Sequence, residues 1–472
     1  MDLFRVKSID SMMEQRQAAG LRKSLSTFDL VMLGVGAVVG SGIFILTGTG
    51  SLIAGPALSL SFVLAAVACF FSALSYAEFS SSLPVSGSVY TYVYATLGEL
   101  PAWLIGWILI LEFGLAASAV AAGWSGYLQS LVVSLGIQLP EALRAAPGAM
   151  PDRATLFNLP AFLVIAAVTA LLSVGIRESK RVNNIMVVIK ILVVVLFIAA
   201  GAMHVRTENW TPFMPYGMSG VYAGAALMFY AFIGFDAVAS SAEEVRNPQR
   251  SLPLGILGSL LICTVLYVLV TLVMTGIVPY GDFAANSDHP VSLALQRTGQ
   301  MGLAGVIDLG AILGMTTVIL VMSYGLTRIL YAMARDGLLP RKLAALHPRY
   351  ATPFSLTWSV GLIFALIAGL VPLAVLAELI NIGTLTAFSL ISLAVIVLRR
   401  THPDLPRGFR CPGVPYVPLA AVACCVFLIA HLGSFTWLAF CLWILAGLAV
   451  YFLYSRRKAV LGASVAATES GR

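Results

Sequence analysis

Apolar windows of about 20 residues follow one another along nearly the whole chain, each long enough to cross roughly 30 Å of hydrocarbon as a helix. They fall at 28–53, 57–82, 100–135, 156–176, 183–203, 218–241, 253–278, 302–334, 354–372, 375–398, 415–433 and 435–455. The segments between them are short and marked by Pro, Gly and charge, as in "NPQRSLP" and "HPDLPRGFRCPGVP". That spacing leaves no soluble domain and no long disordered tail. The expected fold is an all-α integral membrane domain of about 12 spanning helices.

Two windows break the pattern from within. The first holds "GVGAVVGSGIFILTG", with five glycines, and Gly40, Ser41 and Gly42 fall near its middle. Close helix packing is one reading, because Gly36 and Gly40 form a small-xxx-small pair. The other is an opened helix, since a run of such low helix propensity is where the hydrogen-bond ladder gives way. The sixth window, "LMFYAFIGFDAVASSAEE", repeats the anomaly: Gly234 and the ionisable Asp236 lie halfway across among Phe229, Tyr230, Phe232 and Phe235. The first and sixth spans are corresponding members of two five-span halves, and paired interruptions of this kind point to an inverted-repeat transporter with a midplane site. Unspent amides at one broken end suit an anion, and unspent carbonyls at the other suit a cation. A zwitterion such as an α-amino acid carries both.

Composition agrees with lipid as the solvent: the 472 residues are 59% hydrophobic and 10% charged, with mean hydropathy +0.94. The net charge of +7 needs no nucleic acid, because it follows the spans. With the N-terminus cytoplasmic, 23 of the 28 Lys and Arg residues lie on the cytoplasmic side. Only Arg144, Arg153, Arg206 and Arg297 lie on the other, and Lys190 is left inside a span. The positive-inside rule then puts both termini in the cytoplasm of a cell membrane protein. The opening "MDLFRVKSIDSMMEQRQAAGLRKSLSTFD" carries both signs of charge and no h-region, unlike a signal peptide. Six scattered cysteines and five dispersed histidines present no metal-ligand spacing, and no HExxH, GxSxG or phosphate loop is present, so neither a metal, a cofactor nor an enzyme is expected. A channel is disfavoured too, for want of repeated charged or carbonyl rings.

The strings "GVGAVVGSGIFILTG", "SYAEFSSSLPVSGSVYTYVYATLGE", "FYAFIGFDAVASSAEEVRNPQRSLPLGI" and "YGLTRILYAMARDGLLPRKLAALHPRYATP" resemble the amino acid, polyamine and organocation (APC) superfamily. Within it they are most similar to the cationic amino acid transporter family and its bacterial members, over about residues 25–455. The resemblance implies a leucine-transporter-type 5+5 inverted repeat with two appended helices. The expected division is a cytoplasmic segment 1–27, a first repeat 28–203, a second repeat 218–398, appended helices 399–457 and a cytoplasmic tail 458–472. It implies contacts to a substrate carboxylate at Val38, Gly40, Ser41 and Gly42, and to the amino group at carbonyls near Tyr230, Ala231 and Ile233, with the Tyr230 ring as a gate. Asp236 either organises the unwound turn or meets a basic side chain. Glu112, third of the intramembrane charges, has three open roles: gate control, proton relay or helix pairing.

Lys190 lies nine residues beyond Arg181, about 13 Å deep at 1.5 Å per residue. Snorkelling to the interface, the alternative, would need a long reach; desolvation penalises an ammonium at that depth, which suits a proton carrier. The resemblance implies the same, since proton-coupled relatives carry a lysine here where sodium-coupled ones bind sodium, bracing the first helix against the eighth. Glu78, near the cytoplasmic end of the second span, is either solvated or paired with a loop arginine. Glu243 and Glu244 with Arg246 and Arg250 suggest an inner-gate network. The implied function is import of cationic and/or small neutral L-amino acids by alternating access, coupled to protons. An exchanger and a non-transporting sensor of the same fold are the alternatives. The partners expected are the amino acid, protons and the lipid bilayer; the oligomeric state is left open.

Overall fold

A computed structural model describes residues 4–9, 25–85, 88–134, 136–149, 154–175, 180–284, 289–350 and 352–456. Among them the regular structure is all helical, and no strand forms beyond an isolated parallel bridge between Leu25 and Val245. The helices run α1 (Thr27–Val38), α2 (Thr47–Ala54), α3 (Leu58–Ser82), α4 (Ser88–Thr96), α5 (Glu99–Ser134), α6 (Leu159–Ser173), α7 (Lys180–Ala202) and α8 (Gly217–Met228). They continue with α9 (Ala237–Ser240), α10 (Pro248–Ile277), α11 (Pro290–Arg297), α12 (Met301–Arg335), α13 (Phe354–Leu370), α14 (Leu373–Thr401), α15 (Tyr416–Ala430) and α16 (Ser434–Val450).

Eight described stretches are long and apolar enough to cross a membrane, and four shorter apolar helices, α1, α6, α13 and α15, accompany them. One of the eight, Gly42–Ser82, is folded at Gly55, whose φ of 65° is a left-handed turn that only glycine adopts without strain. It divides into the second half of the first span and the whole of the second. All 12 expected spans are therefore present as helix. The fourth is shorter than its apolar window, because Asn158 caps it with its side chain on the amide of Ala161.

Two connections that the apolar pattern leaves as loops are helical. Helix α4, "SVYTYVYAT", buries Tyr90, Tyr92 and Tyr94, and α11 buries Val291, Leu293 and Leu295. The peripheral α16 turns Phe435, Leu438, Leu442 and Leu445 outward, as a helix in lipid does. It is held to α5 by two tryptophans that exchange backbone bonds: Trp107 Nε1 donates to Trp443 O at 2.9 Å, and Trp443 Nε1 to Trp107 O at 3.1 Å. Their rings stack at 4.7 Å.

Candidate substrate site

The first span opens where the glycines predicted. Helix α1 ends at Val38, Val39 is extended (φ −74°, ψ 94°), and a π-helical turn, Gly42–Leu46, leads into α2. No hydrogen bond in the described structure uses the backbone N–H of Gly40, Ser41 or Gly42. The sixth span opens beside it: α8 tightens into a 3₁₀ turn, Phe229–Phe232, then Ile233 is extended and Gly234 takes φ 119°. The Tyr230 carbonyl accepts from the Ile233 amide at 3.2 Å, whereas those of Ala231 and Ile233 take no bond in the described structure. A Cβ built on Gly42 would lie 2.5 Å from Ala231 Cα, so the two breaks touch. Unspent donors and acceptors thus adjoin at one buried place, and Ser41 and Tyr230 tie its two sides with a 2.7 Å hydroxyl–hydroxyl bond.

Of the small-xxx-small pair expected at Gly36 and Gly40, Gly36 is a packing position and Gly40 is not. Gly34 and Gly36 are packing positions, where an added Cβ would fall 2.4 Å from Ser259 Oγ and 2.6 Å from Val187 Cγ2. Gly40 and Gly42 belong to the opening. Val38 stands apart from the other three expected carboxylate contacts. It is the last residue of α1, and its carbonyl accepts from the Tyr267 hydroxyl at 2.9 Å.

The carbonyl end of α1 is occupied by the protein itself. Lys190 is fully buried, and its Nζ donates to Gly36 O at 2.7 Å. Its stem lies on α12, where a Cβ at Gly314 would come 2.9 Å from Lys190 Cγ. The side chain therefore links α7, α1 and α12. Beyond the first break, the Tyr127 hydroxyl donates to Phe44 O at 2.6 Å. On the sixth span, Asn381 Nδ2 donates to Ala226 O and Leu227 O at 2.8 and 3.2 Å. Tyr267, Tyr127 and Asn381 did not emerge from the sequence reading, although each is a polar group set in an otherwise apolar window, which is the signal that marks them.

The remaining charges divide. Asp236 is buried, with the backbone amides of Gly234, Ala237 and its own residue beside its carboxylate. Glu112 is buried nearby, with Oε2 unpartnered among the described residues. Glu78 is not solvated: it accepts from Arg399 Nε at 2.9 Å, from Arg399 Nη2 at 2.7 Å and from the Cys411 amide at 2.7 Å, with Arg407 Nε at 3.3 Å. In that clasp burial first, and then the Glu78 charge, push the Cys411 thiol up to about 11. Of the network expected of Glu243 and Glu244 with Arg246 and Arg250, the described residues show a backbone link. Leu25 N donates to Glu244 O at 3.0 Å and Arg246 N to Leu25 O at 3.1 Å, and both arginines are exposed. The Glu243 side chain lies outside the described residues.

Comparison with known proteins gives the family. Residues 25–454 match the amino acid permease family. The chain is 59% identical over 460 residues to the branched-chain amino acid permease BcaP of Bacillus subtilis (strain 168), covering 97% of this chain and 99% of that one. It is 50% identical over 460 residues to the methylthioribose transporter of the same organism, with the same coverage. It is 39% identical over 411 residues to the vacuolar cationic amino acid transporter 4 of Arabidopsis thaliana, covering 85% of this chain and 68% of that one.

Proposed function

The chain belongs to the amino acid permease family, and from that premise we propose that it imports neutral L-amino acids, as a secondary active transporter driven by protons. The observation that carries the reading is the double break: unspent amides at Gly40, Ser41 and Gly42 beside unspent carbonyls at Ala231 and Ile233. The amides take the carboxylate and the carbonyls the ammonium group, and the Tyr230 ring covers both. Preference for an uncharged side chain is supported by the apolar neighbours of the breaks, Val318 beside Gly40 and Ile45 beyond Ser41. It is supported also by the printed name of the relative at 59% identity.

In this proposal residues 28–203 and 218–398 are the two inverted repeats, and the Lys- and Arg-rich face is cytoplasmic, with both termini on it. Lys190 is the proton carrier. Protonated, its ammonium group holds the Gly36 carbonyl and braces α1 against α12. Without the proton the nitrogen has no charge with which to hold α1, and the inner half of the first span is released.

Purified protein in sodium-free vesicles tests this. L-leucine should accumulate in empty vesicles under an inward proton gradient, and a protonophore should abolish the accumulation. Lys190→Met keeps the length of the side chain without its charge and should bind leucine yet fail to concentrate it. Accumulation by Lys190→Met at the wild-type rate would remove the proton-carrier role. Uptake only into vesicles preloaded with amino acid would make the protein an exchanger.

A further inference from the structure

On the face opposite the Lys- and Arg-rich one, a cavity of about 60 Å³ lies directly beyond the first break. Its walls include Ile45, Gly123, Gln129, Arg144, Asn158 and Leu373, and among the described residues no carboxylate lines it. The cavity adjoins the substrate site: Ile45 and Gly123 both line it, and a Cβ built on Gly123 would fall 1.8 Å from Ile45 Cδ1 and 3.3 Å from Ser41 Cβ.

Arg144 is one of the four Lys or Arg residues that the positive-inside assignment leaves on this face. Its Nε donates to Leu139 O at 2.8 Å, and its own carbonyl accepts from Gln129 Nε2 at 2.7 Å. The loop that bears it is pinned by Thr155 Oγ1 on Ala146 O at 2.8 Å, and by the amides of Leu156 and Phe157 on Ala142 O, both at 2.9 Å. The guanidinium is therefore held in place. Yet among the described residues its two terminal amino groups have no hydrogen-bond partner and it forms no ion pair. A positioned guanidinium with two spare donors is matched by a carboxylate. At about 10–15 Å³ per water-sized occupant, the cavity takes roughly four to six non-hydrogen atoms, the size of the carboxyl- and amino-bearing end of an amino acid.

We propose that this cavity is an outer docking subsite, in which Arg144 receives the α-carboxylate before the inner site does, and in which its charge discriminates against amino acids with cationic side chains. The inference rests on the amino acid reading of the inner site and adds a charge filter in front of it. Arg144 is then a specificity-determining residue that the bound state in the inner site does not use.

Initial uptake rates of L-leucine and L-lysine into proteoliposomes, with equilibrium leucine binding to the same purified proteins, test it. Arg144→Gln should raise the leucine KM about tenfold, with kcat and equilibrium binding unchanged, because a steering charge acts on approach. Arg144→Glu should raise the lysine-to-leucine ratio of kcat/KM about tenfold or more, and Arg144→Lys should restore the wild-type ratio. Ala122→Leu, at another wall of the same cavity, should reproduce the KM rise and serves if the arginine variants do not fold. Unchanged leucine KM in Arg144→Gln and Ala122→Leu, or an unchanged lysine-to-leucine ratio in Arg144→Glu, overturns the outer subsite while leaving the inner site intact. Failure of the wild-type protein to bind or carry any amino acid overturns both.

Discussion

A single methyl group distinguishes the two glycines at the first break. At Gly42 an added Cβ would lie 2.5 Å from both Cα and Cβ of Ala231, where ordinary contact is 3.4–4 Å. Ala231 Cα is backbone and cannot rotate away, so Gly42→Ala must drive the first and sixth spans apart by about 1 Å or more. At Gly40 the same methyl meets only Val318 Cγ2, at 3.5 Å, which is already an ordinary contact. Neither glycine holds a left-handed φ, so the contrast is one of space. An opening of about 1 Å takes the amide and carbonyl groups beyond hydrogen-bond reach of a substrate fitted to both. Losing two hydrogen bonds to charged groups, at about 1.5–3 kcal/mol each, removes about 3–6 kcal/mol. That is roughly a 10²- to 10⁴-fold rise in Kd. Equilibrium binding of L-leucine to purified, monodisperse protein reads it directly. Gly42→Ala should lose measurable binding, and Gly40→Ala should stay within about threefold of wild type. Wild-type affinity in Gly42→Ala, or equal loss in both variants, would refute the argument that the two breaks form one site by touching.

Two further outcomes follow from named contacts. Tyr230→Phe keeps the ring and removes only the 2.7 Å bond to Ser41, so it should weaken leucine binding by about 1 kcal/mol, and Tyr230→Ala by about 1–3 kcal/mol if the ring covers the substrate. Equal affinity in all three proteins would return Tyr230 to ordinary packing. In a background whose other five cysteines are alanine, Cys411 should react with N-ethylmaleimide at pH 7.5 roughly 300-fold more slowly than a free thiol, because a pKa of about 11 leaves so little thiolate. The rate should climb as pH rises toward 11. Glu78→Gln, which takes the carboxylate away from Arg399 and the Cys411 amide, should speed labelling at least tenfold. Labelling of the unmodified clasp at the free-thiol rate would refute it.

What could be read from the chain was what repeats locally. Each spanning helix satisfies its own backbone, so each must announce itself as a long apolar window, and all 12 did. The openings at Gly40–Gly42 and at Gly234 were legible for the complementary reason, since residues that hold a helix weakly mark where it ends. The depth of Lys190 came from counting rise per residue. None of this says which partner meets which group. That Gly36 O receives Lys190, Val38 O receives Tyr267 and Glu78 receives Arg399 depends on helices brought together across 154, 229 and 321 positions of sequence. The same holds for Gly34 and Gly36 as packing residues, for the Trp107–Trp443 exchange, and for Arg144 over a cavity walled by four separate parts of the chain. Hydrophobic patterning decides that a segment enters the membrane, and it treats every face of the helix alike. Only packing decides which face meets a neighbour, and in lipid a buried polar group then bonds to whatever that neighbour presents.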